Sequence, residues 1–422
     1  MNAALASAHA KLRRSDPALP DQLAARQADA FDRFSERGYP TLKHEGWRYT
    51  NLRPFRDAEL LPVAAGHAAP DQDAEDLADL VLTLDPAAPA VTTPLPNGVR
   101  ALTLRDALDS KDPILSQFGA IAPLLGDALV DLNDAFALDA LIIDVTDDAA
   151  VSTTIAIDWR LSKAANELAS PRLFVHMGQH AELSLVERRI GRGAFTNAVT
   201  ELSLSAGSRL SYVDLNAERR PSRTLARVSA RIARDARLAA YSLTLGGQLN
   251  RIGTYVELAE PGAEVVLSGT FLAGEGEHVD HHTAINHTAA HTHSVEDYRG
   301  IIGRAGRGVF NGKVIVARDS QKITSQQSND NLLLDEGARI DTKPELEIFA
   351  DDVACSHGAT IGRLDDQALF YLRSRGLDER TANRVLMEAF GKKPLEHIPE
   401  RFVPALENRM RLGLKRLSED HA

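Results

Sequence analysis

Cysteine is almost absent from this chain: its 422 residues include one, Cys355. An intrachain disulfide is excluded, and with it a secreted fold held by cross-links; a reducing compartment, the cytoplasm, is expected. Positive charge is also in short supply. Lys and Arg number 48 against 59 Asp and Glu, a formal net charge of −11, so broad binding to nucleic acid or to an anionic membrane is not expected. No stretch approaches the ~18 continuous apolar residues of a membrane span. The first twenty residues lack a basic start followed by an apolar run, so no secretion signal is expected either. What is present is 44% hydrophobic residues, ample for a buried core.

The apolar pattern changes along the chain. Residues 21–38 carry Leu23, Ala24, Phe31 and Phe34 near helical spacing, with Asp21 as a cap and Gly38 as a stop, and predict a helix. Residues 57–98 are rich in Ala, Pro and Asp, and PAAPAVTTPLPNG has the composition of a connector. From about residue 171 strand-like alternation becomes persistent, as in AELSLVE, TELSLS and RLSYVDL. After Leu364 the period returns to helical: LDDQALFYLRSRG, then LDERTANRVLMEAFG with Ala382, Val385, Leu386, Ala389 and Phe390 on one face, then RFVPALENRMRLGLKRL. These signals divide the chain into an N-terminal helical part (1–56), a connector with short strands and helices (57–130), a β core (131–363) and a C-terminal helical part (364–422).

Within the β core a short motif recurs: AEL at Ala181, SRL at Ser208, ARL at Ala236, AEV at Ala263 and ARI at Ala338, at intervals of 27, 28, 27 and 75 residues. The last interval is near three of the shorter ones. Turn signals fall midway, so each period holds about two strands. A regular period of this length predicts stacked rungs sharing one core, a β-solenoid; a sandwich with a strand every 13 or so residues fits the same turn spacing.

Four features bear on chemistry. In DDVACSHGATIG, Cys355 and His357 share a face if the segment is extended, with Cα atoms about 7 Å apart. That is awkward for a nucleophile–base hydrogen bond, but suits two side chains converging on one metal, with further ligands supplied from elsewhere. The bland alternative is an inert cysteine beside a hydrogen-bonded histidine. Second, His278, His281, His282, His287, His291 and His293 crowd one segment. His282, His287, His291 and His293 are candidates for a secondary metal or interface site, although no established ligand spacing is present and a ladder of stacked polar side chains explains the density as well. Third, GRAGRG and the FNGKV that follows it read as turns, the latter an Asn-Gly hairpin, so no nucleotide site is expected. Fourth, residues 188–237 hold eleven arginines, no lysine and few aromatics, which predicts a solvated sheet face rather than a nucleic-acid surface.

The run KPELEIFADDVACSHGATIGRLD, supported by HEGWRYTNL, LNDAF and GVFNGKVIV, resembles the SufB/SufD family of iron–sulfur cluster assembly scaffolds over most of the chain, least from 57 to 130. The single thiol within CSHGAT favours the D-type branch. The resemblance implies a mainly β fold, a right-handed parallel β-helix flanked by N- and C-terminal α-helical domains. It further implies a non-catalytic scaffold subunit that pairs with SufB through the β-helix and recruits the SufC ATPase. A nascent Fe-S cluster or iron would then be held transiently between SufB and this chain, with no cofactor permanently bound. By motif, His357 would face that interface, with Cys355 beside it. The ATPase would dock on the helices from Asp365 to Gly391, in particular on Asp365, Leu369, Phe370, Tyr371, Arg373 and Gly376. An exposed β-helix interface makes a homodimer plausible when SufB is absent. Read without the resemblance, the same residues leave open a Cys355-dependent hydrolase or transferase and a free-standing metal-binding β-solenoid.

Overall fold

The fold was determined as a computed structural model, which describes residues 5–10, 21–63, 77–82, 84–85, 88–91, 94–122, 127–137, 140–160, 166–190, 195–217 and 220–419. Parts of the expected 57–130 connector (64–76, 83, 86–87, 92–93 and 123–126) lie outside these residues. Among them the chain is mainly β. An 11-stranded and a 9-stranded sheet stack in-register parallel strands, and the chain alternates between the two sheets. The result is a parallel β-solenoid of about 7 turns with helices at both ends of the chain; the sandwich reading falls, because successive strands sit in opposite sheets.

The short repeat marks the entry to one of these sheets. Ala181, Ser208, Ala236 and Ala263 are buried immediately before four of its strands, and Glu182, Arg209, Arg237 and Glu264 stack in one column. A small residue fits here because the turn brings backbones of adjacent rungs close together. Ala338 does not belong to this series: Arg339 pairs with Arg307 in the other sheet. Its interval of 75 is therefore a half-turn offset, not three turns.

Two further expectations are corrected. Arg307–Val316 is one unbroken strand, so Asn311-Gly312 is no hairpin. Parallel rungs are joined through the opposite sheet, and Gly312 has another use described below. The arginines of 188–237 are not all solvated. Arg189 points inward and contacts Glu187 (2.8 Å) and Asp214, and Arg188 is paired with Asp158 at 2.5 Å, all of them buried. Arg227 is also buried, 3.4 Å from the Tyr255 ring centre and 2.9 Å from Asp127. Alternation places Arg189 inside the coil, whereas Arg188 and Arg227 are buried on the outer face; in either place a buried charge is retained only with a partner. Arg209 and Arg237, on the outer face, do pair with exposed Glu182 and Glu264.

The two ends of the coil differ. At the N-terminal end Val99–Thr103 closes one sheet as an antiparallel edge on Leu141–Val145. The helices Asp21–Arg37 and Ala128–Phe136 pack beside it through Phe34, Leu129, Leu132 and Phe136. The expected helical face of Asp21–Arg37 is nearly right: Leu23, Gln27, Ala30 and Phe34 are the buried residues. At the other end the chain leaves the coil and turns back. Its last helix, Val403–Glu419, lies with Met387, Leu395 and Phe402 along the outside of the 9-stranded sheet, against Val213, Leu243 and Ile301. Arg416 anchors it to Glu277 at 2.7 Å. In Glu379–Gly391 the buried residues are Ala382, Met387 and Gly391, whereas Val385 is exposed; the apolar face is rotated from the expected one because it meets the outside of the coil.

Candidate functional site

Nothing covers the C-terminal end of the coil among the described residues. The final strands, Arg339–Ile348 and Val353–Gly362, each pair on one side only. Their outer edges leave backbone donors and acceptors unpaired, the arrangement that templates another strand. The two edges are protected differently. Arg339–Ile348 carries Arg339, Asp341, Lys343, Glu345 and Glu347 on one face and Pro344 in its middle, a charged edge of the kind that discourages pairing. Val353–Gly362 carries Ala354, Ser356, Gly358, Thr360 and Gly362, all exposed and uncharged. Phe349, just before it, and Ile361, near its end, are exposed, and a cleft of about 350 Å³ lined by Arg307, Leu333, Arg339, Ile340, Asp341 and Ile361 opens beside it.

Cys355 and His357 stand on this last strand, on the face that continues the interior. Their register partners are Ser325 and Gln327, both buried. Cys355 is half-buried and packs on Val314, Val316, Ile323 and Ala350. Burial pushes its thiol up, partly offset by a backbone N–H from Ser325. A thiol held protonated is a poor nucleophile at neutral pH, which weighs against the Cys355-dependent hydrolase or transferase. His357 is exposed and takes part in none of the hydrogen bonds or ion pairs among the described residues. The pair is thus brought together on one open rung, with no third ligand from this chain beside it.

The histidine-rich segment is not brought together. The ring of His287 points inward, with Thr292 Oγ1 at 2.7 Å and Ser294 Oγ at 2.9 Å on its two nitrogens; burial lowers it to about 4. His281 is also interior, its ring tilted against those of Phe271 and Tyr298, and lowered by burial to about 4. His282 is on the outer face, 3.1 Å from Asp280. His291 occupies a left-handed turn at φ 58° and His293 begins the next strand. Among the described residues no group of three or more His, Cys, Asp or Glu is placed to hold a metal. The outer-face cluster instead clasps the N-terminal segment. Thr50 donates to Asp280 and lies 2.8 Å from His278 Nε2. Arg251 contacts Asp280, donates to the Gly46 carbonyl at 2.7 Å and lies 3.7 Å from the Trp47 ring centre. Asp280 is buried, yet Arg251 and His282 hold it well below the usual carboxylate range.

The helix Asp366–Ser374 has no buried residue. Asp365 caps it by accepting from the Gln367 and Ala368 backbones, and Gly376 ends it at φ 95°. Phe370 and Tyr371 are 74% and 57% exposed, an apolar pair that this chain leaves without cover. Leu369 is half-buried, and Arg373 reaches Glu379 at 3.3 Å. No helix among the described residues is long and apolar enough to cross a membrane.

Comparison with known proteins identifies the architecture. Residues 160–390, more than half of the chain, match the family model "SUF system FeS cluster assembly, SufBD core domain", and residues 85–157 match "SufBD protein N-terminal region". The chain is 30% identical over 383 residues to "Iron-sulfur cluster assembly protein SufD" of Escherichia coli (strain K12), covering 85% of each protein. It is 26% identical to "Protein ABCI7, chloroplastic" of Arabidopsis thaliana, over 86% of this chain and 80% of that protein. It is 32% identical over 257 residues to "Iron-sulfur cluster assembly SufBD family protein slr0076" of Synechocystis, 58% of this chain and 56% of that protein. The chain belongs to the SufBD family of iron–sulfur cluster assembly proteins.

Proposed function

We propose that this SufBD-family chain is a SufD-type, non-catalytic cytoplasmic scaffold subunit, and that its open rung forms half of a site completed by a SufB-type partner. One observation carries the reading: the coil ends on an uncharged strand, unpaired along its outer edge, whose inward face bears a thiol and an imidazole with no further ligand from this chain among the described residues. Parallel edge pairing gives a partner chain its register, and each inward side chain of the partner's edge then meets one of this chain. A forming Fe-S cluster or iron, as substrate, would be taken by a donor set of thiolate and imidazole shared between the chains. His357 is exposed and has no hydrogen bond among the described residues to give up. Cys355 must first lose the proton that burial favours, which an approaching cation assists. A SufC-type ATPase would take the exposed Phe370–Tyr371 helix and move the joint between open and closed. In the absence of the partner, the same edge permits a homodimer.

The test is co-expression of the tagged chain with its SufB-type and SufC-type counterparts. Both should co-purify. A His357→Ala chain should assemble equally well and fail to mature a cluster, read as iron and sulfide content; normal maturation would remove His357 from the site.

A further inference from the structure

Beneath His357 the interior column is polar for two rungs, and its hydrogen bonds run in one direction. Glu296, Gln327 and His357 are direct register partners on three successive strands. Gln327 Nε2 donates to Glu296 Oε2 at 2.5 Å. With its NH₂ group committed to the carboxylate, the Gln327 amide is oriented, and its Oε1 is left buried with no partner. That oxygen belongs to a residue one strand spacing, about 4.8 Å, below His357. Gln327 is 3% and Glu296 1% exposed, so neither is there for solvation. The room is made by Gly312 across the interior: a Cβ there would stand 2.9 Å from Glu296 Oε2 and closer still to Gln327 Nε2.

We infer that Gln327, oriented by Glu296, is a positioning residue for His357: rotation of the exposed, unbonded imidazole lets the buried Oε1 accept a ring N–H, which turns the other, unprotonated ring nitrogen toward the open end. An imidazole binds a metal through one nitrogen only when that nitrogen is free of its proton, and a hydrogen bond to the other nitrogen fixes which one that is. An amide relaying a carboxylate to an imidazole performs this task without adding charge at the mouth. The column adds a support to the site proposed above and rests on that assignment of His357.

The experiment is ring-¹⁵N-histidine spectroscopy on the full chain, with His357 identified from a His357→Gln spectrum. Wild type should show one dominant His357 tautomer. Gln327→Leu should shift the tautomer ratio at least threefold toward that of a free imidazole, and the isosteric Glu296→Gln should shift it in the same direction by less. A ratio unchanged in both variants overturns the inference. Thermal melting checks that each variant is folded; should Gln327→Leu not fold, Glu296→Gln alone decides. In the assembled complex Gln327→Leu should also lower cluster maturation by about tenfold with partner binding intact. Failure of the two hypotheses is distinguishable: normal maturation by His357→Ala removes the functional site but not the tautomer effect, and an unmoved tautomer removes the relay but not the site.

Discussion

Replacing Glu296 by Gln should stabilise this protein at alkaline pH and not at acidic pH. Burial raises the Glu296 carboxyl from 4.5 to about 7, with the hydrogen bond from Gln327 opposing the shift. Between those two values the folded chain holds a proton that the unfolded chain has lost, so stability falls as pH rises through the window. Above it the full cost is about 3 kcal/mol. The Gln variant keeps the shape and an acceptor for Gln327 but has nothing to titrate. Its advantage over wild type should be smallest at pH 4.5 to 5 and should grow by about 3 kcal/mol toward pH 8, or about 3 °C in melting temperature for a chain of this length. Other groups around Glu296 cancel in the comparison. His281 and His287, both lowered to about 4, titrate alike in the two proteins, and Tyr298, pushed well above its usual value by burial, stays neutral. Calorimetry of both proteins at several pH values and constant ionic strength measures the difference. A pH-independent difference, or one that grows toward acid, would refute the argument.

Three other outcomes follow from particular contacts. Arg251→Ala leaves Asp280 buried without its main partner and should cost about 3–5 kcal/mol; denaturation measures the loss, and limited proteolysis should cut residues 38–52 faster, whereas unchanged protection would mean that Arg251 does not hold this segment. Gly300→Val places a Cβ 2.6 Å from Phe271 Cζ and 2.5 Å from Asn331 Oδ1 and should destabilise the last turns by at least about 1–3 kcal/mol, visible as faster amide exchange in 293–302 and 323–333; wild-type exchange rates would count against tight packing there. The double change Phe370→Ala, Tyr371→Ala should leave the melting temperature unchanged, since neither ring is buried, and weaken capture of the ATPase at least tenfold; undiminished capture would place the dock elsewhere.

The coil was legible because stacking imposes a repeat: the same turn recurs at nearly constant spacing, and Ala181, Ser208, Ala236 and Ala263 mark it. Which sheet a strand belongs to was not. Ala338 carries the same local signal as the other four, since a tight turn before a strand looks alike in either sheet. Asn311-Gly312 misled for a related reason. A glycine in an extended run signals a turn when only neighbours in sequence are visible, yet here it is required by side chains 15 and 16 positions away, Gln327 and Glu296. The same limit hid the support of the candidate site. Cys355 and His357 are two residues apart and could be paired by eye; Gln327 and Glu296 lie 30 and 61 residues before His357 and join it only through the strand register. The unbroken run of polar residues after Ile323 in ITSQQSNDN, long enough to fill both faces of a strand, was the available signal. It marks an interior face that is polar, contrary to the usual assignment of polar residues to solvent.

In two inward columns the change from apolar to polar falls on the last three rungs of the coil. One inward column runs Leu183, Leu210, Leu238, Val265 and then Ser294, Ser325, Cys355. Its neighbour runs Leu185, Tyr212, Ala240, Leu267 and then Glu296, Gln327, His357. Both change character at the same rung. Each buried Leu or Val exchanged for a polar residue forfeits about 1.5–3 kcal/mol of apolar burial, and the new polar groups must find partners inside. Ser294 and Ser325 do so in a chain with His287, at 2.9 and 2.8 Å. Such a loss does nothing for a coil that merely has to end, because an apolar strand can close an apolar column, as Val99–Thr103 does for one sheet at the N-terminal end. It is useful where the end has to stay open and bear donors. A thiol and an imidazole on an apolar stack would have no polar neighbour to orient them, whereas here their register partners are Ser325 and Gln327. Lower stability in the last turns is therefore expected to coincide with the site, and amide exchange along the coil should show protection falling after Val265 rather than symmetrically toward both ends.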